Sequence, residues 1–270
     1  VHMMATRLPT VDSSQITTNS CSGTLVESDK VRASRERKRL PKWFKTSLPI
    51  GKSQSVYNNT MASVKDNDLN TVCVEARCPN IHDCWGRGTA TFMIAGDVCT
   101  RGCRFCAVNT AKTPPPLNPD EPEDLATAIE SMGINHAVIT VVNRDDLPDG
   151  GASHYRKCIM AVHDRCPDVG IELLCSDLDG NLESLKTLLN GLPIRVFAHN
   201  VECVPRLDKI VRDRRASFTQ SLEILSEAKN LRPDLKTKTS IMVGIGETDS
   251  EVIEAMEMIR SSEVDMITLG

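Results

Sequence analysis

The sequence predicts an α/β fold built on a parallel sheet, either doubly wound or curled into a barrel. Three observations predict it. From about residue 90, short β-branched runs alternate six times with amphipathic stretches. The runs are continuous apolar segments, as expected of parallel strands covered on both faces. The unusual residues cluster in the segments after the strands, where active sites sit in barrels and open α/β sheets alike.

The strands are expected at Thr91–Ala95, Ala137–Val142, Ile171–Cys175, Arg195–His199, Ser240–Val243 and Met266–Leu269. Between the first two, Leu125, Ala128, Ile129 and Met132 have the spacing of one helix face. Val252, Ala255, Met256 and Ile259 repeat that spacing, and Thr248-Asp249-Ser250-Glu251 ahead of them reads as a capping box. Asp149-Gly150-Gly151 suits a turn that starts a helix, and Gly191 suits a helix end. Lys112-Thr113-Pro114-Pro115-Pro116 should be extended. No helix follows the sixth strand, so the sequence reads as cut short after Gly270.

The 270 residues are 40% hydrophobic and 25% charged, enough for a sizeable core. No stretch approaches the roughly 18 uninterrupted apolar residues of a membrane span. A net charge of −4 argues against a basic nucleic-acid binder, and 3% aromatic residues argue against a base-stacking platform. Charge is uneven: residues 1–45 hold nine Lys and Arg against four acids, leaving −9 on the rest. Residues 1–26 are rich in Ser and Thr and read as a disordered tail or an organellar transit peptide. Arg32 to Lys45, with Trp43 and Phe44, reads as a solvated charge run; packing of the two aromatics across the barrel is the alternative.

Cysteine is the outlier, with 11 in the chain. An odd count in a chain of this length does not suit a secreted disulfide framework. Cys99, Cys103 and Cys106 form C-x3-C-x2-C directly after the first strand, and Cys73, Cys78 and Cys84 form C-x4-C-x5-C. A closed structural site takes four protein ligands. Three thiolates on a four-iron cluster leave one iron open to a substrate or cofactor. S-adenosylmethionine can chelate that iron through its amino and carboxylate groups. Reductive cleavage of its sulfonium then yields methionine and a 5′-deoxyadenosyl radical able to take hydrogen from unactivated carbon. Arg101 and Arg104 are expected to offset cluster charge, and Phe105 to shield it. Zinc remains the alternative, since C-x2-C alone also occurs in zinc sites. Cys21, Cys158, Cys166, Cys175 and Cys203 are isolated and expected as small buried hydrophobes.

These residues carry a family resemblance over roughly 40–270. Val72-Cys73-Val74-Glu75-Ala76-Arg77-Cys78-Pro79-Asn80-Ile81, Cys84-Trp85-Gly86 and Gly96 through Val108 resemble the lipoyl synthases. So do Arg144 through Ala152, Ala198-His199-Asn200-Val201-Glu202, Gly244-Ile245-Gly246-Glu247-Thr248 and Thr268-Leu269-Gly270. The resemblance implies a radical S-adenosylmethionine enzyme with a partial (β/α)6 barrel of the TIM type. It implies two [4Fe-4S] clusters: Cys99, Cys103 and Cys106 on the radical-generating one, Cys73, Cys78 and Cys84 on an auxiliary one that serves as sulfur source. It further implies sulfur insertion at carbons 6 and 8 of an octanoyl chain on a lysine of a lipoyl carrier domain or glycine-cleavage H protein. An electron donor such as ferredoxin or flavodoxin and an iron–sulfur carrier would serve it, with no nucleic acid. The compartment would be the mitochondrial matrix, with bacterial cytoplasm as the alternative.

On this reading residues 1–40 are a tail, 41–88 an extension bearing the auxiliary cysteines, and 89–270 the barrel. Gly244, Gly246 and Glu247 are expected to approach adenosylmethionine through the backbone, against a plain turn as the alternative. His199 and Asn200 are expected to contact cofactor or substrate, against a structural role for a lone histidine. Asp145 and Asp146 would orient substrate or ribose hydroxyls, or be a solvated pair. The chain departs from the family pattern at Val141, Asn143, Leu174–Leu178 and Ala198. The family also carries a later Arg-Ser-Ser-Tyr segment whose serine ligates the auxiliary cluster. Without it, little or no sulfur insertion is expected of the 270-residue form. A second two-cluster enzyme, such as a methylthiotransferase acting on RNA, would need a basic face that the charge distribution does not favour.

Overall fold

The computed structural model describes residues 50–66, 71–75, 78 and 80–270. The expected tail, Cys21 and the Arg32–Lys45 run lie outside the described residues.

Three helices come first: α1 (Lys52–Asp66), α2 (Val72–Glu75) and α3 (Ile81–Gly86). The 15-residue α1 is largely polar, and α2 and α3 are only four and six residues long, so none shows an apolar spacing in the sequence. Strand β1 (Thr89–Ile94) follows, and both α2 and α3 pack against it. Two short strands, β2 (Val98–Cys99) and β3 (Asn109–Thr110), then pair in parallel and close a loop between them. The repeat proper continues with α4 (Glu121–Met132), β4 (His136–Val141), α5 (Ala152–Arg165), β5 (Gly170–Leu174), α6 (Leu182–Leu189) and β6 (Val196–Ala198). It ends with α7 (Asp208–Val211), α8 (Phe218–Leu231), β7 (Lys236–Ile241), α9 (Asp249–Ser261) and β8 (Met266–Leu269).

The six long strands form one parallel sheet in the order β1-β4-β5-β6-β7-β8. That order never reverses, which separates barrel-type winding from a doubly wound sheet. β1 and β8 remain the two edges, so the barrel is partial. Helices α4, α5, α6 and α8 pack on one another in succession around it. Phe92, Ile139, Leu173 and Phe197 on neighbouring strands are buried with Tyr155 of α5 and Phe218 of α8.

Five of the six expected strands fall within two residues of their expected positions. The fifth does not: β7 is Lys236–Ile241, four residues ahead of the expected Ser240–Val243. Its sequence, Lys-Thr-Lys-Thr-Ser-Ile, has no apolar run, because the inward positions are threonines. Thr237 and Thr239 are fully buried with their hydroxyls satisfied. Thr237 Oγ1 donates to Asp265 (3.2 Å), and Thr239 Oγ1 accepts from Val201 N (3.1 Å).

The capping box at α9 forms as expected: Thr248 Oγ1 accepts from Glu251 N (3.3 Å), and the Glu251 carboxylate accepts from Thr248 N (2.8 Å). Replacing Thr248 with alanine removes one half of it and should cost about 1 kcal/mol. An unchanged urea midpoint in that variant would show that the box does not hold α9. Asp149 likewise accepts from Gly151 N (2.9 Å) and Ser153 N (2.8 Å), so the expected turn does start α5.

Candidate active site

A cavity of about 180 Å³ opens at the C-terminal ends of β1, β4, β5 and β6. Met93, Val141 and Leu174 form part of its apolar wall. Cys99, Cys103, Phe105 and Cys106 line it from the β2–β3 loop, and Val72 brings α2, with Cys73, to the same mouth.

The cysteine loop is held from two sides. On the β4 side, Thr100 N donates to Asn143 O (3.0 Å) and Thr100 Oγ1 to Asp145 Oδ2 (2.6 Å). On the α7 side, Arg104 N donates to Val211 O (2.9 Å) and Gly102 N to Asp213 Oδ2 (3.0 Å). Arg215 Nη2 donates to Thr100 O (2.6 Å). Backbone amides also reach the sulfurs. Cys99 Sγ accepts from Arg101 N (3.4 Å) and Asn143 N (3.3 Å), and Cys103 Sγ accepts from Asp213 N (3.3 Å). Burial pushes the Cys103 and Cys106 thiols up, so free in this pocket they stay protonated.

Arg101 is not free to offset charge at the thiols. It is buried, and its guanidinium spans Asp145 (Nη2–Oδ1 2.8 Å) and Asp177 (Nη1–Oδ2 2.6 Å), with Asp179 at 3.3 Å. Asp145 is therefore neither a solvated acid nor a free ligand: it ties the cysteine loop to the end of β4. Asp146 is likewise held in a two-pronged pair by Arg144, with both contacts at 2.8 Å. Phe105 is buried at the cavity wall, where a shielding residue would sit.

His199 and Asn200 line the cavity. Both ring nitrogens of His199 are engaged: Nδ1 with Cys175 O (2.8 Å) and Nε2 with the Ser221 hydroxyl (2.9 Å). A carbonyl can only accept, so Nδ1 carries the proton, and Nε2 accepts from Ser221. Burial holds the imidazole neutral, with its pKa lowered to about 4. A group with a depressed folded pKa binds more protons when unfolded. Its contribution is therefore present above the ordinary histidine range and lost as pH falls from about 6.5 towards 4. Acidification from pH 7.5 to 5 should cost the wild type about 2 kcal/mol more than a His199→Gln variant. Parallel urea midpoints at the two pH values would reveal no such difference if His199 were exposed or charged.

Gly244, Gly246 and Glu247 stand at the end of β7 but do not line the cavity. The Glu247 carboxylate accepts from its own loop, from Gly244 N and from Ile245 N (3.0 Å). Gly244 (φ 87°) and Gly246 (φ 117°) have the left-handed backbone that only glycine adopts without strain.

The structure adds Cys175, Asp177, Glu202 and Arg212 to the cavity wall. Arg212 lies in an Arg-Asp-Arg-Arg run, yet it is buried and donates to Ser221 Oγ (2.9 Å) and Val201 O (3.2 Å). Burial pushes the Glu202 carboxyl up to about 7, and its φ of 68° is unusual for a non-glycine residue.

The second triad has Cys73 on α2, Cys84 on α3 and Cys78 between them. Cys78 N donates to Cys73 O (3.0 Å), folding the turn back on α2. Burial raises the Cys84 thiol, and the neighbouring Cys73 and Cys78 add to the effect. The next residue, Trp85, is fully buried, and among the described residues its Nε1–H has no acceptor.

Residues 93–259 match the Radical SAM superfamily, and residues 12–78 match the N-terminal domain of lipoyl synthase of that family. The chain is 50% identical over 241 residues to the mitochondrial lipoyl synthase of Bos taurus, covering 87% of this chain and 63% of that protein. Against the mitochondrial lipoyl synthase of Xenopus laevis the figures are 49% over 247 residues, 90% and 65%. The chain thus spans a little under two thirds of these relatives' length. Among solved structures, the hydrogenase maturase HydG of Carboxydothermus hydrogenoformans superposes with a TM-score of 0.54 at 15% identity, covering 80% of this chain and 48% of that one. Methylornithine synthase gives 0.53 at 13%, covering 82% and 60%. At such identities the likeness concerns the barrel alone.

Proposed function

The chain belongs to the Radical SAM superfamily and carries the N-terminal domain of its lipoyl synthases, and from that membership we propose that it acts in sulfur insertion into a protein-bound octanoyl chain. The observation that carries the proposal is the convergence of Cys99, Cys103 and Cys106 on one cavity at the C-terminal ends of the strands.

The donor set fits a four-iron cluster with one open iron: three sulfurs from one loop, with amide donors on two of them. Bound there, such a cluster supplies the one-electron reduction of S-adenosylmethionine that starts hydrogen abstraction. Everything else is work for the chain. The Thr100, Gly102 and Arg104 backbone contacts fix the loop. Phe105 and the apolar strand ends keep water from the reacting carbon. Asn200 and Glu202 offer polar groups to a bound cofactor at the far wall.

The second cluster is proposed at Cys73, Cys78 and Cys84. Trp85, next to Cys84 in sequence, supports it: among the described residues its buried Nε1–H has no acceptor, and such a donor suits a site that would hold sulfide sulfur. We assign His199 the role of a cavity wall held by Cys175 and Ser221. Gly244, Gly246 and Glu247 lie outside the cavity wall, and their backbone would meet a cofactor only where it extends past the β7 end. The division into a tail (1–40), an extension (41–88) and a barrel (89–270) goes with this reading. So do an octanoylated carrier domain or H protein as substrate, a low-potential electron donor such as ferredoxin or flavodoxin, an iron–sulfur carrier, and a mitochondrial matrix location.

Iron, acid-labile sulfide and zinc are measured per chain after anaerobic reconstitution, followed by turnover of an octanoyl-lysyl peptide. About eight irons per chain and adenosylmethionine cleavage are expected. Colourless protein that takes zinc in place of iron would overturn the proposal.

A further inference from the structure

Outside the cavity, α4 and α5 bring three metal-ligating side chains together: Glu121 at the start of α4, and His154 and Cys158 one turn apart on α5. Their ligand atoms lie within 4.8 Å of one another. None of the three lines the cavity, and none belongs to either cysteine triad. His154 Nε2 contacts the Glu121 carboxylate and stands 3.6 Å from Cys158 Sγ.

We propose that Glu121, His154 and Cys158 form a binding site for a zinc-type divalent cation. The geometry is the first support. Zinc holds nitrogen at about 2.0–2.1 Å and sulfur at about 2.3 Å in a tetrahedron, which sets N and S about 3.6 Å apart. That is the separation found here, on two side chains already fixed by the same helix. Charge is the second support. A thiolate and a carboxylate together neutralise a dication, which a buried position requires. His154 and Cys158 are buried, whereas the Glu121 side chain is about one-fifth exposed (19%), so an ion has a way in from the carboxylate side. Imidazole, thiolate and carboxylate together suit zinc better than calcium or magnesium, which take oxygen ligands. The fourth position is left to water.

Binding has a defined proton balance. The metal takes the place of the proton between His154 Nε2 and Glu121, and for a neutral imidazole that loss is balanced by one proton taken up at Nδ1. The Cys158 thiol, pushed up to about 12 by burial and by Glu121, gives its proton to solvent. The site also reaches the cysteine loop. The Glu121 carboxylate accepts from Ala95 N (2.9 Å) and Gly96 N (3.3 Å), four and three residues before Cys99, so an ion there would stiffen the exit of β1.

The test titrates the iron- and sulfide-loaded full chain with zinc, and reads the zinc X-ray absorption edge. The expected result is one tightly held zinc per chain with one sulfur and one imidazole nitrogen in its first shell. A Cys158→Val variant, which keeps the core filled, should lose that sulfur and the stoichiometric uptake. A Glu121→Gln variant, which can still accept from Ala95 and Gly96, should bind more weakly. If the triads do not fill with iron, a chain with serine at all six triad positions reads the same site alone. No zinc uptake, a first shell of three sulfurs, or uptake unchanged by Cys158→Val would each overturn the proposal. The trio would then be an ion pair beside a core thiol.

Discussion

Arg101→Met should destabilise the protein by about 3–5 kcal/mol, the usual cost of leaving a buried charge without its partner. The Arg101 side chain is 3% exposed, Asp177 1% and Asp145 12%. Methionine fills much of the same volume but leaves the buried Asp177 without its arginine, on hydrogen bonds from Gln220 Nε2 (2.8 Å) and Asp179 N (3.1 Å), while Asp145 keeps Arg215 (3.1 Å). Arg101→Lys should recover part of the loss only. A single ammonium keeps the charge but cannot reach Asp145 and Asp177 with the fork that a guanidinium provides. Asp177→Asn in the methionine background should restore some stability, since it removes the stranded charge. Because Asp145 also accepts from Thr100, the variant should lose iron from the loop faster than it loses its fold. Urea midpoints for the three variants check the energetics, and a methionine variant within about 1 kcal/mol of wild type would refute the account.

That network was hidden in the sequence for a physical reason. Arg101, Asp145, Asp177 and Arg215 lie far apart in the chain, and each sits in a polar loop segment where a charged residue is ordinarily solvated. The strands were legible because burial on both faces leaves continuous apolar runs. β7 was misplaced because its inward residues are threonines whose hydroxyls are paired inside the barrel. The two cysteine triads were visible from spacing alone, because thiols so close in sequence have few structural reasons to be there. Short β2 and β3 carry no periodicity, yet their pairing closes the loop on which Cys103 and Cys106 stand. His199 was visible as a residue at a strand end, but its role depends on Ser221 and Cys175, which no local pattern connects to it. Glu202 and Arg212 could be found only by seeing which side chains face the cavity.

Cys103→Ala and Cys78→Ala should separate the two triads. Cys103 lines the cavity and takes the Asp213 amide on its sulfur. Its loss leaves two thiols in a loop that is otherwise still fixed at Thr100, Gly102 and Arg104. A cluster with two protein ligands is not held there, so iron should fall from about eight to about four per chain. Cleavage of S-adenosylmethionine should fall to background. Cys78 lies outside the cavity wall, on the turn folded back to Cys73. Its alanine variant should also lose about four irons, while cleavage of S-adenosylmethionine survives. The two variants thus share an iron count and differ in chemistry, which no general unfolding would produce. Cleavage retained in Cys103→Ala, or abolished equally in both, would mean that the triad at the strand ends is not the reducing centre.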